Sequence, residues 1–375
     1  MTTLEDLGLP EDMLNVLEKA RGKKVSVAMS GGVDSSTAAA LFKLAGAEVK
    51  GIHMLTLPEN DMAFNPKAVS DAREMADFLG IGFELFDARQ IFKGKVIDYF
   101  IDAYLNGKTP NPCAPCNIFI KFGLLMEFAM KDSDYYATGH YAISYFNGKR
   151  HCVKKPVDPH KDQTYILGLL SQEVLSKALF PLGHIPKIRT REIATKLGLK
   201  SSQKDESQDL CFMKCSRSEY IKSRIGNGQD LKGNIVDANG NVLASHNGVY
   251  AFAVGQRRGI GVNMKKPYFV KDIDPKARKV TISEFSGLLK NNFFVKDLNY
   301  CSIDPLKIGQ SLDAEVAVRN RMEPQTCRIT QKDGFAEVIM AENPIWAICP
   351  GQIASFYSEG VLLASGFIFD PLANP

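Results

Sequence analysis

Two thiols three residues apart, in a stretch stiffened by prolines, are the first chemistry this sequence offers. Cys113 and Cys116 stand in Pro110-Asn111-Pro112-Cys113-Ala114-Pro115-Cys116-Asn117, just ahead of a predicted helix. That spacing lets two sulfurs share a metal or a cluster. A third candidate, Cys211 in Glu206-Ser207-Gln208-Asp209-Leu210-Cys211-Phe212, closes the same part of the chain. No second Cys-x-x-Cys and no His-x-x-x-His accompanies them, which argues against a closed four-ligand zinc site. Cys215 lies in a generic polar setting and is set aside. Cys152, Cys301, Cys327 and Cys349 carry no motif and read as core or surface residues.

The second constellation is Ser30-Gly31-Gly32-Val33-Asp34-Ser35-Ser36, between a predicted strand (Val25 to Met29) and a predicted helix (about Ser35 to Ala45). An α/β sheet places its phosphate-binding turn there. Two glycines let backbone N–H groups converge on an anion, the serine hydroxyls add donors, and the helix N-terminus adds positive potential. Asp34 is placed to orient Mg²⁺ or a neighbouring donor. No Gly-Lys-Ser/Thr follows, so this is not a Walker loop, and the dinucleotide fingerprint is absent too. The predicted nucleotide-contacting set is Ala28, Met29, Ser30, Gly31, Gly32, Val33, Asp34 and Ser35. Gly139 and His140 follow another predicted strand and face the same crevice at the carboxyl ends of the sheet.

Positioning these groups requires a scaffold, and the pattern supplies one. Strands near 25–29, 49–55, 83–86 and 135–138 alternate with helices near 35–45, 67–79, 90–105, 119–131, 165–170 and 189–197, which predicts a doubly wound, mostly parallel sheet. After Cys211 the alternation stops. Beyond about Gly226, short strands separated by Gly, Asn, Asp and Pro turns predict two small β domains. The predicted organisation is a helical extension over 1–22, a nucleotide-binding catalytic domain over 23–225, a central β domain over 226–287 and a β-barrel-like domain over 288–375. A length of 375 residues fits several cores. Eight cysteines, with neither a signal peptide nor a membrane span in the sequence, point to a cytosolic protein without a disulfide framework. The formal charge of +4 permits a polyanionic partner without demanding one.

The Ser30–Ser36 loop resembles the pyrophosphate-binding loop of the N-type ATP pyrophosphatases (PP-loop, adenine nucleotide alpha hydrolase-like). Further along, Asn111-Pro112 with Cys116-Asn117, Lys121-Phe122, Thr138-Gly139-His140-Tyr141, Lys161-Asp162-Gln163, Ser207 to Phe212, Gly255-Gln256-Arg257-Arg258-Gly259 and Pro350-Gly351-Gln352 stand in the order of the tRNA-specific 2-thiouridylase (MnmA) family. The resemblance runs from about Lys24 to Phe369. It implies that ATP, with Mg²⁺, adenylates O2 of the wobble uridine in tRNAs of the Lys, Glu and Gln type, and that sulfur then replaces that oxygen. It implies that Met54 sits against adenine, that Cys211 carries a persulfide received from a cysteine desulfurase or relay protein, and that Cys116 is the partner nucleophile. It also implies tRNA contacts at Asn111, Pro112, Cys113, His140, Lys161, Asp162, Gln163 and Gln352.

Two positions depart from the family. Where most members carry aspartate, this chain has Cys113, so Cys113, Cys116 and Cys211 could hold three irons of a four-iron four-sulfur cluster. Persulfide relay and cluster chemistry both stay open at this point. The usual Arg-Tyr-Arg run reads Arg319-Asn320-Arg321 here, leaving Arg321 as the predicted basic contact. Basic pairs such as Lys154-Lys155, Arg257-Arg258 and Lys265-Lys266 are scattered over all three regions, which suits several domains sharing the phosphates of one RNA. The competing readings are a PP-loop enzyme with a nitrogen nucleophile and a non-catalytic tRNA-binding protein. A monomer is expected.

Overall fold

The computed structural model describes residues 2–203, 210–226 and 231–371. The strands are β1 (Lys24–Ala28), β2 (Glu48–Leu55), β3 (Gly82–Asp87), β4 (Tyr135–Ala137), a hairpin of β5 (Ile143–Phe146) and β6 (His151–Lys154), and β7 (Ala178–Leu179). Sheet order β3-β2-β1-β4-β7 is parallel throughout, so the alternation read from the sequence is a doubly wound sheet. Helix α1 (Glu11–Glu18) precedes it, and α2 (Val33–Leu44) and α3 (Pro66–Leu79) follow β1 and β2. Alanines fill the middle of α2, which is buried nearly all round and lets the helix seat its N-terminus close to the sheet. The N-terminal extension is more than an appendage. Leu7, Met13 and Leu17 are buried in the same core as Val25, Val27 and Phe42.

The expected helix over 90–105 runs as Arg89–Phe92, a wider-turned stretch Lys93–Asp98, and Tyr99–Leu105. The one near 119–131 starts earlier, at Cys113, and is wide-turned from Cys116 to Leu124 before it tightens at Leu125–Ala129. The helix expected near 165–170 is only a short turn, Thr164–Ile166. Gly168 follows it, with its backbone so close to Ser365 that an added Cβ would overlap the hydroxyl.

The central region holds β8 (Gly233–Val236), β9 (Val242–His246), β10 (Phe269–Asp274) and β11 (Lys279–Ser283) in the order β10-β11-β8-β9. Next come β12 (Leu289–Lys290), β13 (Asn292–Tyr300), β14 (Ser311–Ala317), β15 (Gln325–Gln331), β16 (Phe335–Met340), β17 (Ile345–Trp346), β18 (Ile353–Ser358) and β19 (Val361–Phe369). Strands β13-β16-β15-β14-β18-β19 close on themselves through β19–β13 pairing and form an antiparallel barrel. The β5–β6 hairpin leaves the parallel sheet and pairs with β19 of the barrel, Lys154 opposite Val361. Two further ties cross the same junction: the Tyr165 hydroxyl donates to the Ile353 carbonyl at 2.6 Å, and Gln352 Nε2 donates to the Thr109 carbonyl at 2.9 Å. Among the described residues no helix is long and apolar enough to cross a membrane.

Candidate active site

The loop after β1 is held open by its own serines. Ser30 N–H donates to Ser35 Oγ at 3.1 Å, the two hydroxyls lie 3.2 Å apart, and Gly32 N–H donates to Ser30 Oγ at 3.3 Å. Gly31 has a φ of +77°, and a Cβ there would meet the Ala68 carbonyl at 2.8 Å, so only glycine fits. Behind the loop lies Gly139, where a Cβ would fall 2.9 Å from Asp34 Cβ and from Ser35 N. The backbone leaving β4 thus lies directly on the first turn of α2, which makes a narrow cradle of backbone and hydroxyl donors.

This cradle is one end of a cleft of about 280 Å³. Of the predicted residues, Ala28, Met29, Ser30, Asp34, Ser35, Met54, Gly139, His140 and Gln163 line it. Gly31, Gly32 and Val33 shape the loop from outside the cleft. Ile52, Met54 and Leu125 give the other end an apolar wall fit for a flat base. His53 also faces the cleft, with Nδ1 2.8 Å from the Met29 carbonyl, and burial lowers its pKa. The residues therefore fit ATP, phosphates at the serine end and base at the methionine end.

Asp34 reaches a partner the sequence did not disclose. Lys187 Nζ donates to both its carboxylate oxygens, at 2.6 and 2.7 Å, and the Tyr141 hydroxyl donates to Oδ1 at 2.8 Å. Of the two roles expected for Asp34, orienting a neighbouring donor is the one these contacts fit. Lys187 opens the helix Lys187–Lys196, and its own N–H is anchored on Asp158 Oδ2 at 3.0 Å.

The thiols sit beside the cleft rather than in its lining. Cys113 and Cys211 reach the surface, whereas Cys116 is buried against Ile120 and Phe212. All eight cysteines are free. Burial pushes all three of these thiols up, Cys211 to about 12, and the thiolates of Cys113 and Cys116 would disfavour that of Cys211 further. Lys121 opposes this at every one of them. The resting thiols are therefore protonated near neutral pH, contrary to the simple expectation for a nucleophilic cysteine. Lys121 also lines the cleft, so one cation borders both compartments. It was noted in the sequence only as part of a motif. His140 is buried with Nδ1 2.8 Å from the Thr138 hydroxyl; burial, then Lys121, drives its pKa well down and keeps it neutral.

Among the described residues no three side chains of His, Cys, Asp or Glu are gathered closely enough to hold a metal ion. Cys113, Cys116 and Cys211 nevertheless act on one another electrostatically, which places the three thiols in one neighbourhood.

The residues expected to touch RNA lie in several separate segments. Asn111 Oδ1 accepts from Cys113 N–H at 3.1 Å and so shapes the thiol loop, with Pro112 buried beside it. Asp162 Oδ1 accepts from Thr164 N–H at 2.8 Å, and Gln163 Oε1 accepts from Tyr141 N–H at 2.8 Å, while Lys161 sits in the preceding turn. Gln352 is spent on the Thr109 tie. Arg321 is exposed with a φ of +63°. Its neighbour Arg319 points inward, donating to the carbonyls of Val254 (2.8 Å) and Ala347 (3.1 Å) and locking the central domain to the barrel.

Three family descriptions match successive parts of the chain: tRNA methyl transferase HUP domain over residues 23–215, tRNA methyl transferase PRC-barrel domain over 218–284, and Aminomethyltransferase beta-barrel domain over 290–368. The tRNA-specific 2-thiouridylase MnmA 1 of Clostridium botulinum (strain Loch Maree / Type A3) is 41% identical over 357 residues, covering 92% of this chain and 99% of that one. The tRNA-specific 2-thiouridylase MnmA of Carboxydothermus hydrogenoformans is 39% identical over 360 residues, covering 92% and 97%. Among solved structures, the U34-tRNA thiolase NcsA from Methanococcus maripaludis with its [4Fe-4S] cluster aligns with a TM-score of 0.36 at 17% identity, over 57% of this chain and 71% of that chain.

Proposed function

Because the chain belongs to the tRNA-specific 2-thiouridylase family, we propose that its cleft and thiols carry out the two halves of an ATP-dependent thiolation of tRNA uridine. ATP lies with its phosphates on the Ser30–Ser35 cradle, Mg²⁺ accompanying them, and its base against Met54. Attack of uridine O2 on the α-phosphate forms the O2-adenylate and releases pyrophosphate. A persulfide on Cys211 then attacks C2, and AMP departs with the oxygen. Cys116 attacks the Cys211 sulfur, the S–S bond to the nucleoside breaks, and 2-thiouridine leaves. The Cys116–Cys211 disulfide that remains requires a thiol reductant before the next turnover.

The observation that carries this reading is Lys121. One helix, beginning at Cys113, places Cys116 in the core and Lys121 between the thiols and the nucleotide cleft. There the ammonium favours thiolate and persulfide anions and also faces the phosphates. Asn111, Pro112, Cys113, His140, Lys161, Asp162, Gln163, Arg321 and Gln352 are assigned to tRNA, the last by shaping the junction that Thr109 anchors. On this reading the protein is a cytosolic monomer loaded by a cysteine desulfurase or relay protein.

Pyrophosphate release with unmodified tRNA tests the two halves separately. Cys116→Ser and Cys211→Ser should keep tRNA-dependent pyrophosphate release and lose 2-thiouridine in digested tRNA. Pyrophosphate release that ignores tRNA, or nitrogen in place of sulfur in the product, would overturn the assignment.

A further inference from the structure

A cavity of about 540 Å³ opens where the central domain meets the barrel, separate in its lining from the nucleotide cleft. Part of its wall is aromatic, and the strand period explains why. Phe293 and Val295 turn into the barrel core, so Phe294 between them stands on the outer face of β13. Phe335 and Phe369 stand outside in the same way, next to the core residues Ala336 and Ile368. The three rings are half-buried and pack together, with centroids 5.8, 6.0 and 6.3 Å apart. Phe294 and Phe369 line the cavity.

Charged groups line the same space. Lys271 comes from β10 and Lys290 from β12; both are exposed, and among the described residues neither ammonium has an ion pair or a hydrogen bond. Asp272, Asn292 and Asp370 bring acceptors beside them. The cavity also adjoins the thiol loop. Pro350 forms part of the wall, and its carbonyl accepts from Thr109 N–H at 3.3 Å, immediately ahead of the loop that starts at Pro110. On the central-domain side, Val254 lines the cavity and the chain runs on from it to Arg257 and Arg258, two exposed cations with no carboxylate partner among the described residues.

We propose that this cavity holds a second, unpaired nucleotide of the tRNA while the target uridine enters the nucleotide cleft. This rests on tRNA being the substrate. The base lies against Phe294 and Phe369, since every base offers a π-face to an aromatic wall. Lys271 and Lys290 meet the flanking phosphates, and Asp272 and Asn292 accept from N–H groups on the base edge. The volume is within the range that encloses a ligand of that size. A purely apolar occupant would strand the lysines and aspartates, and an acidic peptide would leave the rings unused, so the mixed lining favours a nucleotide. Holding that nucleotide beside the thiol loop keeps the strand splayed, with the target base out of its stack.

The test compares the full-length wild type with the double variant Lys271→Gln, Lys290→Gln and with Phe294→Leu, which keeps an apolar side chain and loses the π-face. Unmodified tRNA is titrated at a series of salt concentrations, and ATP titration without tRNA checks that each variant folds. The lysine double variant should bind tRNA about 5- to 20-fold more weakly, with the slope of log affinity against log salt shallower by about 1–2. Phe294→Leu should weaken tRNA about five-fold or more with little change in that slope. Ultraviolet crosslinking of the wild-type complex should join a nucleotide to a peptide containing Phe294 or Phe369. Wild-type affinity and slope in the lysine double variant overturn the inference, as does crosslinking confined to other peptides. Pyrophosphate release by the wild type with tRNA separates the two readings: its presence alongside indifferent variants removes the cavity's role alone, and its absence removes the functional reading with it.

Discussion

Replacing Lys187 by methionine removes one charge from the nucleotide loop while nearly preserving volume. Its ammonium lies 2.6 and 2.7 Å from the two Asp34 oxygens, and the Lys187 side chain is only 9% exposed against 34% for Asp34. Without that partner the Asp34 carboxylate faces the phosphates uncompensated. At about 6–8 Å and an effective dielectric of about 20, the repulsion is roughly 2–3 kcal/mol per phosphate charge. That corresponds to roughly 30- to 150-fold weaker ATP binding. Asp34 still reaches water, so the accompanying loss of stability should be smaller, about 1–3 kcal/mol. Calorimetric ATP titration of Lys187→Met, with a thermal melt as control, measures both. The double variant Asp34→Asn, Lys187→Met removes the stranded charge and should recover affinity to within a few-fold. Wild-type affinity in the single variant, or a double variant weaker than the single, would falsify the argument; the second result would show Asp34 acting on the metal itself.

Lys121→Gln removes the cation that opposes burial at the thiols. Without it the Cys211 pKa should rise further, so less thiolate is present at every pH from about 6 to 9. Higher intrinsic nucleophilicity offsets part of this, leaving Cys211 about 3- to 5-fold slower toward iodoacetamide at pH 8, with the rate–pH curve displaced to higher pH. Equal rates would show that Lys121 does not govern the thiols. Gly139→Ala inserts a methyl 2.9 Å from Asp34 Cβ and should weaken ATP about ten-fold with a small change in melting temperature; unchanged affinity would mean the cradle tolerates movement. Arg319→Met loses the carbonyls of Val254 and Ala347 and the face of Trp346, so calorimetry should show a low-temperature transition with ATP affinity unaltered; a single unshifted transition refutes it.

What was legible in the sequence were features forced by local geometry. Two glycines and three serines between a strand and a helix have few other uses, and the cleft indeed forms around them. Cys113 and Cys116 were visible through spacing, but spacing speaks only of a shared loop, not of which thiol turns inward. Lys187 was hidden because it meets Asp34 from 153 positions away, and nothing near it in sequence distinguishes it from a surface lysine. The β5–β6 hairpin was hidden for a related reason. Its pairing with β19 depends on a barrel edge more than 200 residues downstream, so the catalytic domain and barrel are stitched together by strands that read locally as a loop.

The wide turn over Cys116–Leu124 bears on how Lys121 is presented. In an ordinary α-helix, five residues rotate the chain by about 500°, which leaves side chains five apart on different faces. Here hydrogen bonds run five residues back, as in Leu125 N–H to the Ile120 carbonyl, and a wider turn brings positions five apart closer to alignment. Cys116 and Lys121 are such a pair. Gly123 permits the distortion, since its φ and ψ of −97° and −110° lie outside the helical range and a Cβ would meet the Ile118 carbonyl at 2.7 Å. An ordinary helix would set Cys116 and Lys121 apart, whereas Lys121 here lines the cleft and also acts on the Cys116 thiol. The local departure from regular helix therefore lets one element border both the cleft and the thiol-bearing segment.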